Sequence, residues 1–257
     1  MRSPTYLRRR GSQHIRRAGR APGDHVAHIV DAQWLSPGVR RLRFRCEAID
    51  PAWTAGDRLL VRVCQDSRRY YTIASIDHAR QRFDVVAVAH PYGAGGRWAS
   101  TAEVGETTVV FGPKPDLDVR IDGAREAVLL GDETAVGLFE AIRSGRQRRV
   151  PVRGAIEHGR GVGLRSEPGA LEGLDILARE GAPGARLHGW AHAYARAEPR
   201  TVYFVVGHGA AVRSLRLALL AMGIRGAAIR SRAYWGRAAS TVTRSTSASG
   251  SLRAGSS

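Results

Sequence analysis

Apolar and polar residues alternate one for one along the first half of the chain. Leu42, Phe44 and Cys46 are interleaved with Arg41, Arg43 and Arg45, the two-residue period of a strand with one buried face. Leu59, Val61 and Val63 repeat the pattern after a turn at Ala55-Gly56-Asp57. Phe83 to Ala89, carrying Val85, Val86 and Val88, forms another strand, and Thr107 to Phe111, stopped by Gly112-Pro113, a further one. Short strands separated by turns predict an antiparallel barrel.

Beyond residue 124 the pattern changes. Glu126 to Gly131 is a short apolar run. Thr134 to Ser144 then places Ala135, Leu138, Phe139 and Ile142 on one helical face. Val150 to Ile156 reads as a strand. Thr201 to Val206 is an apolar strand followed by Gly207-His208-Gly209 and a helix from Ala210 to Met222. Strands alternating with helices predict a parallel sheet covered on both faces. The expected architecture is therefore β plus α/β: an N-terminal antiparallel barrel over residues 23–118, then an α/β domain over 124–237. Residues 1–22 and 238–257 lack periodicity and are expected to be disordered tails.

Charge changes this picture little. The net charge of +17 resembles a nucleic-acid footprint, but seven arginines fall in residues 1–22 and Arg244 and Arg253 in the last twenty. A modest basic excess is left on the body, which favours anionic ligands such as nucleotides. No motif interleaves basic and aromatic residues for nucleic acid, so that binding-module reading rests on net charge alone. No run of about 18 apolar residues predicts a membrane span, and no apolar segment follows the arginine-rich start. A cytoplasmic protein without membrane or nucleic-acid partners is expected. Cys46 and Cys64 are read as small buried thiols in strands. The oligomeric state has no sequence signal.

Three segments carry candidate chemistry. In Arg69-Tyr70-Tyr71-Thr72-Ile73-Ala74-Ser75, strand alternation puts Arg69, Tyr71 and Ser75 on one face and Tyr70 and Thr72 on the other. An arginine can clamp a diphosphate, a tyrosine can stack on a ring system and a threonine can donate to a ring nitrogen; the same strand also reads as plain core. His90 to Thr101 contains Gly93, Gly95 and Gly96 before Arg97 and Trp98, a loop able to cradle phosphate, or an ordinary glycine-rich turn. Gly131-Asp132-Glu133-Thr134 joins a strand to a helix, where a nucleotide would bind or where Asp132 or Thr134 simply caps the helix. Gly207 ends a second strand in the same way.

Taken in order, these motifs resemble the siderophore-interacting (ferric-siderophore reductase) branch of the ferredoxin-reductase-like flavoenzymes. The resemblance rests on Arg69, Tyr71 and Thr72; on His90, Gly93, Arg97, Trp98 and Ala99; on Gly131 to Ala135; on Val212, Arg213, Leu215 and Arg216; and on Tyr234-Trp235. It implies an FAD-binding barrel and an NAD(P)H-binding-like second domain. Tyr71 would stack on the flavin, Thr72 would face its N5 region, Arg69 and the Gly93–Arg97 loop would hold the diphosphate, and the Gly131–Thr134 turn with Gly207 would receive NADPH or NADH. A ferric siderophore would accept the electrons, and ferredoxin is the other donor that the resemblance allows; Lys114, Arg232 and Arg237, on composition alone, are candidates to receive the iron complex or plain solvated surface charge. A general flavin reductase with a different acceptor, or a flavin-binding relative without turnover, fits the same residues. The sequence differs from the family pattern at Ala74, Gly96, His208 and Arg237, where a second arginine, a serine, a glutamate and a glycine are usual.

Overall fold

The computed structural model describes residues 24–236 except 48, 116, 145–149 and 166–168. The expected tails and Arg237 lie outside the described residues. Six strands form a closed barrel: β1 (Asp24–Ser36), β2 (Val39–Arg45), β3 (Arg58–Cys64), β4 (Ser67–Asp77), β5 (Arg82–Val88) and β6 (Thr107–Lys114), in the order β1-β2-β5-β4-β3-β6. All neighbouring strands in it are antiparallel. Helix α1 (Gly93–Thr101) lies between β5 and β6. Arg40 is buried and donates to the carbonyls of Ala99 and Ser100, satisfying the end of α1 and complementing its dipole.

The second half is a five-stranded parallel sheet, order β11-β10-β7-β8-β9. Its strands are β7 (Glu126–Asp132), β8 (Val152–His158), β9 (Leu174–Ala178), β10 (Thr201–His208) and β11 (Ile229–Trp235). Helices α2 (Val136–Ser144), α3 (Ala185–Tyr194) and α4 (Gly209–Ala221) cover its faces. The β plus α/β architecture expected from the sequence is borne out.

Local differences have local causes. Strand β1 runs 13 residues, but bulges at Ile29/Asp31 and Trp34/Ser36 break the alternation that would reveal it. Strand β9 is short and lies at the edge of the sheet, and α3 carries Gly189 in its middle, so neither has a strong period. A 3-10 turn at Glu133–Ala135 precedes α2, capped by the Asp132 carboxylate, which accepts from the Thr134 amide. Cys46 lies just past β2 and is buried, but Cys64 ends β3 at the hairpin and is exposed, which corrects the expectation of two buried thiols.

The barrel is filled by Leu42, Phe44, Leu59, Val61, Ile73, Phe83, Val85 and Val110, with Phe44 stacked on Phe83 at 5.0 Å. Strand β5 is buried on both faces. Its Val86, with Val39 and Ala74, belongs to the core that α2 and the parallel sheet share. Gly137 in α2 lets the helix lie close: a Cβ there would sit 3.6 Å from Val86 and 3.7 Å from Ala74. Arg41 of β2 pairs with Glu140 of α2 at 2.5 Å, and Arg43 holds the buried Asp84 in a two-point ion pair. No helix among the described residues is long and apolar enough to cross a membrane.

Candidate functional site

Strand β4 and helix α1 meet at one end of the barrel. The register pairs Val61 with Arg69 and Leu59 with Tyr71, so Arg69 and Tyr71 take the inward-facing side where the barrel opens onto α1. Tyr70 and Thr72 take the other side, as alternation predicts. Ser75 departs from the expectation: a bulge between Ile73 and Ser75 turns it away from the face of Arg69 and Tyr71 and opposite Asp84.

Tyr71 packs on Trp98, 5.3 Å between ring centres, and its hydroxyl donates to the Gly95 carbonyl at 3.4 Å. Burial holds its phenol well above the ordinary range, so the ring remains neutral. Trp98, 6.5 Å from Phe44, thus supports Tyr71 from below as well as carrying a family motif. Among the described residues, Arg69 donates only to the neighbouring Arg68 carbonyl. A Cβ on Gly95 would stand 3.1 Å from the Arg69 stem and 3.2 Å from the Tyr71 hydroxyl, so glycine keeps the space between them clear. The glycines expected in a loop instead form the first turn of α1, and no side chain caps that turn. The first N–H groups of a helix have no partner within it, so those of this turn are potential anion donors.

His90 explains Gly96. A Cβ on Gly96 would fall 2.5 Å from the His90 ring, so a serine there would displace the histidine. His90 Nδ1 accepts from the Tyr92 amide at 3.2 Å, and partial burial lowers the pKa of the ring below its ordinary value. Arg97 is exposed on α1. Thr72, on the opposite face of β4, donates to the hydroxyl of Tyr234 in β11 at 3.3 Å. The register brings Arg58 beside both Thr72 and Lys114, and Arg232 lies two residues before Tyr234 on β11, where a bulge interrupts the pairing with β10. Arg58 also lies over the Tyr70 ring at 4.0 Å. Two of the three basic candidates therefore border the contact between barrel and sheet.

The second cluster, at the carboxyl ends of the parallel strands, is already satisfied internally. Asp132 is 4% exposed. Its Oδ1 accepts from the Thr134 amide at 3.0 Å and hydroxyl at 2.5 Å, and its Oδ2 accepts from the His208 amide and the Trp235 indole, each at 2.8 Å. Gly207 has φ +126°, and a Cβ there would stand 2.4 Å from Oδ2. Gly131 is equally constrained, because a Cβ would lie 2.7 Å from Ala135 and 3.0 Å from Phe139. The four residues expected to receive a nucleotide thus come together, but each serves a contact within the chain. Sequence reasoning missed Glu133, Glu157 and Arg179. The Glu157 carboxylate is fully buried and accepts from Arg179 and from the amides of Gly184 and Arg186 at the start of α3. Arg179 also pairs with Glu133 at 2.8 Å. Burial, then the charge of Asp132, raise the Glu133 carboxyl above its ordinary range despite Arg179. The missed signal was the acid ending each neighbouring strand, Asp132 in β7 and Glu157 in β8.

Residues 62–117 match the family model of the siderophore-interacting FAD-binding domain. No curated protein sequence matches the chain significantly. Among solved structures, the siderophore-interacting protein of Acinetobacter baumannii is 19% identical, with a TM-score of 0.68 over 82% of this chain and 90% of that one. A siderophore utilization protein from T. fusca is 22% identical, with a TM-score of 0.67 over 83% and 93%. A ferredoxin reductase of a carbazole 1,9a-dioxygenase is 17% identical, with a TM-score of 0.69 over 82% and 69%. These findings show the ferredoxin-reductase-like fold, and residues 62–117 are similar to the siderophore-interacting FAD-binding domain.

Proposed function

We propose that the chain is an FAD-dependent oxidoreductase that reduces a ferric siderophore and releases Fe(II), with NADPH or NADH as electron donor. One observation carries the reading: Arg69, Tyr71 and the uncapped first turn of α1 converge within residues 62–117, the stretch that matches the FAD-binding family. The residues fit the cofactor. Gly95 leaves open a space that a Cβ would narrow, and amides and a guanidinium border it, the donor set a diphosphate requires. FAD, when bound, supplies the exchange between a two-electron donor and a one-electron acceptor. Arg69 and the α1 amides would hold the diphosphate, Tyr71 would offer its flat face, and Thr72, whose O–H is donated to Tyr234, would present its hydroxyl oxygen towards the ring edge. Lys114 and Arg232 draw an anionic iron complex to that edge. Hard anionic oxygen ligands hold Fe(II) less firmly than Fe(III), so reduction favours release. The reading is of a cytoplasmic enzyme.

A specific observation favours a protein donor such as ferredoxin as the second reading. Asp132, Glu133 and Glu157 crowd the sheet edge with Arg179 as their paired cation, an acidic setting for a dinucleotide diphosphate. An absorbance scan of the purified protein from about 300 to 600 nm, repeated after NADPH and a ferric siderophore, tests both. Flavin bands that bleach with NADPH and recover with the iron complex match the first reading. Bands that bleach only with reduced ferredoxin match the second. The absence of bands after incubation with FAD overturns the flavin assignment.

A further inference from the structure

We propose that Asp132 is a positioning residue: by gripping the Trp235 indole it sets Tyr234 against Thr72, and so shapes the face of the flavin site that donor and acceptor must reach. The inference rests on the FAD reading of the β4 site.

The sequence left Asp132 as either a nucleotide ligand or a helix cap, and its side chain does accept from the Thr134 amide. Its four accepted hydrogen bonds, from Thr134 twice, His208 and Trp235, leave it no acceptor capacity for a ligand. Those donors come from three separate chain segments: the turn after β7, the end of β10 and the end of β11. The carboxylate therefore ties the tips of three strands together. The chain is shaped around this tie. Gly207 is bare because a Cβ would strike Asp132. Gly236, at φ +69°, is bare because a Cβ would stand 2.2 Å from the His208 ring, which itself meets Trp235 edge-on at 4.6 Å. Arg179 lies over the other partner of this group, 5.8 Å from the Trp235 ring centre.

A clasp on Trp235 acts on its neighbour. Tyr234 precedes it on β11 and ends on Thr72, 162 positions away in sequence, with a hydroxyl–hydroxyl distance of 3.3 Å. Thr72 is the β4 residue whose hydroxyl the flavin reading directs at the ring edge. Asp132 thus acts on that edge at two removes, through Trp235 and Tyr234.

The test couples two sites. Trp235 is 38% exposed, so Trp235→Phe removes the indole N–H with little demand on the core. In protein carrying 3-fluorotyrosine, the Tyr234 fluorine resonance is identified by its loss in Tyr234→Phe. Trp235→Phe is expected to move or broaden that resonance, as Thr72→Val does, with or without flavin. A Tyr234 resonance unmoved by Trp235→Phe overturns the proposal. In flavin-loaded protein, Trp235→Phe and Tyr234→Phe should each raise iodide quenching of the flavin about two- to tenfold, and the double variant no further than the larger single effect. Independent effects that multiply also overturn it. Failure to bind flavin at all instead defeats the cofactor reading and leaves the fluorine measurement to decide the clasp.

Discussion

The barrel end at β4 and the carboxyl edge of the parallel sheet both gather backbone amides and charged side chains, yet they differ in who uses the donors. At the barrel end, α1 starts without a side-chain cap and, among the described residues, Arg69 donates only to its neighbour's carbonyl. At the sheet edge, Asp132 takes the Thr134 amide in the turn before α2, and Glu157 takes two amides at the start of α3. Both arrangements satisfy the rule that helix starts attract negative charge. One leaves that attraction to a ligand, and the other meets it with the chain's own carboxylates.

The largest expected effect tests the internal side of this contrast. Glu157→Ala leaves Arg179 and two buried amides short of their shared acceptor, and should lower unfolding stability by about 3–5 kcal/mol in a urea titration. FAD affinity of the folded fraction should stay within about twofold of the parent, since Glu157 shares no direct hydrogen-bond partner with Arg69 or Tyr71 among the described residues. A matching loss of FAD affinity would join the two regions that the contrast separates. Next comes Arg69→Ala. The loss of a charge-assisted contact worth about 1.5–3 kcal/mol should weaken FAD about tenfold to a hundredfold by fluorescence titration, with unfolding stability nearly unchanged. An unchanged affinity would remove Arg69 from the cradle.

The smallest effect is a pH dependence at His90. Its folded pKa lies below its ordinary value of 6.5, so the unfolded chain binds the proton more readily. The neutral ring's contribution to stability is present above about pH 6.5 and is lost as pH falls towards the lowered folded value. His90→Gln should flatten this part of the stability profile. A phosphate-bearing ligand seated at α1 should oppose the trend by favouring the protonated ring. An identical pH profile in the variant would assign the slope to other groups.

The barrel was legible because Leu42/Phe44, Leu59/Val61 and Phe83/Val85 keep a strict period of two, and Arg69, Tyr71 and Thr72 stand on an unbroken stretch of strand. Ser75 was misplaced because a single bulge shifts every later side chain to the other face. Asp132 shows a deeper limit. Its residue type and its position before a helix were both visible, but its hydrogen-bond donors arrive from residues 76 and 103 positions away. Whether a carboxylate awaits a ligand or closes on its own chain depends on those long-range arrivals. Gly207 was visible as a turn glycine, but its reason, the approach of Asp132, is equally non-local.

The apolar seam between α2 and strand β5 decides how this protein comes apart. Val39, Ala74 and Val86 belong to the barrel by chain order but lie in one buried cluster with Leu138, Phe139 and Phe204 of the other half. Cutting the connection near residues 115–125 would present those three side chains, and both faces of β5, to water. The barrel is therefore no portable module, and heating should melt both halves in a single cooperative transition that any flavin-bearing fragment would fail to reproduce.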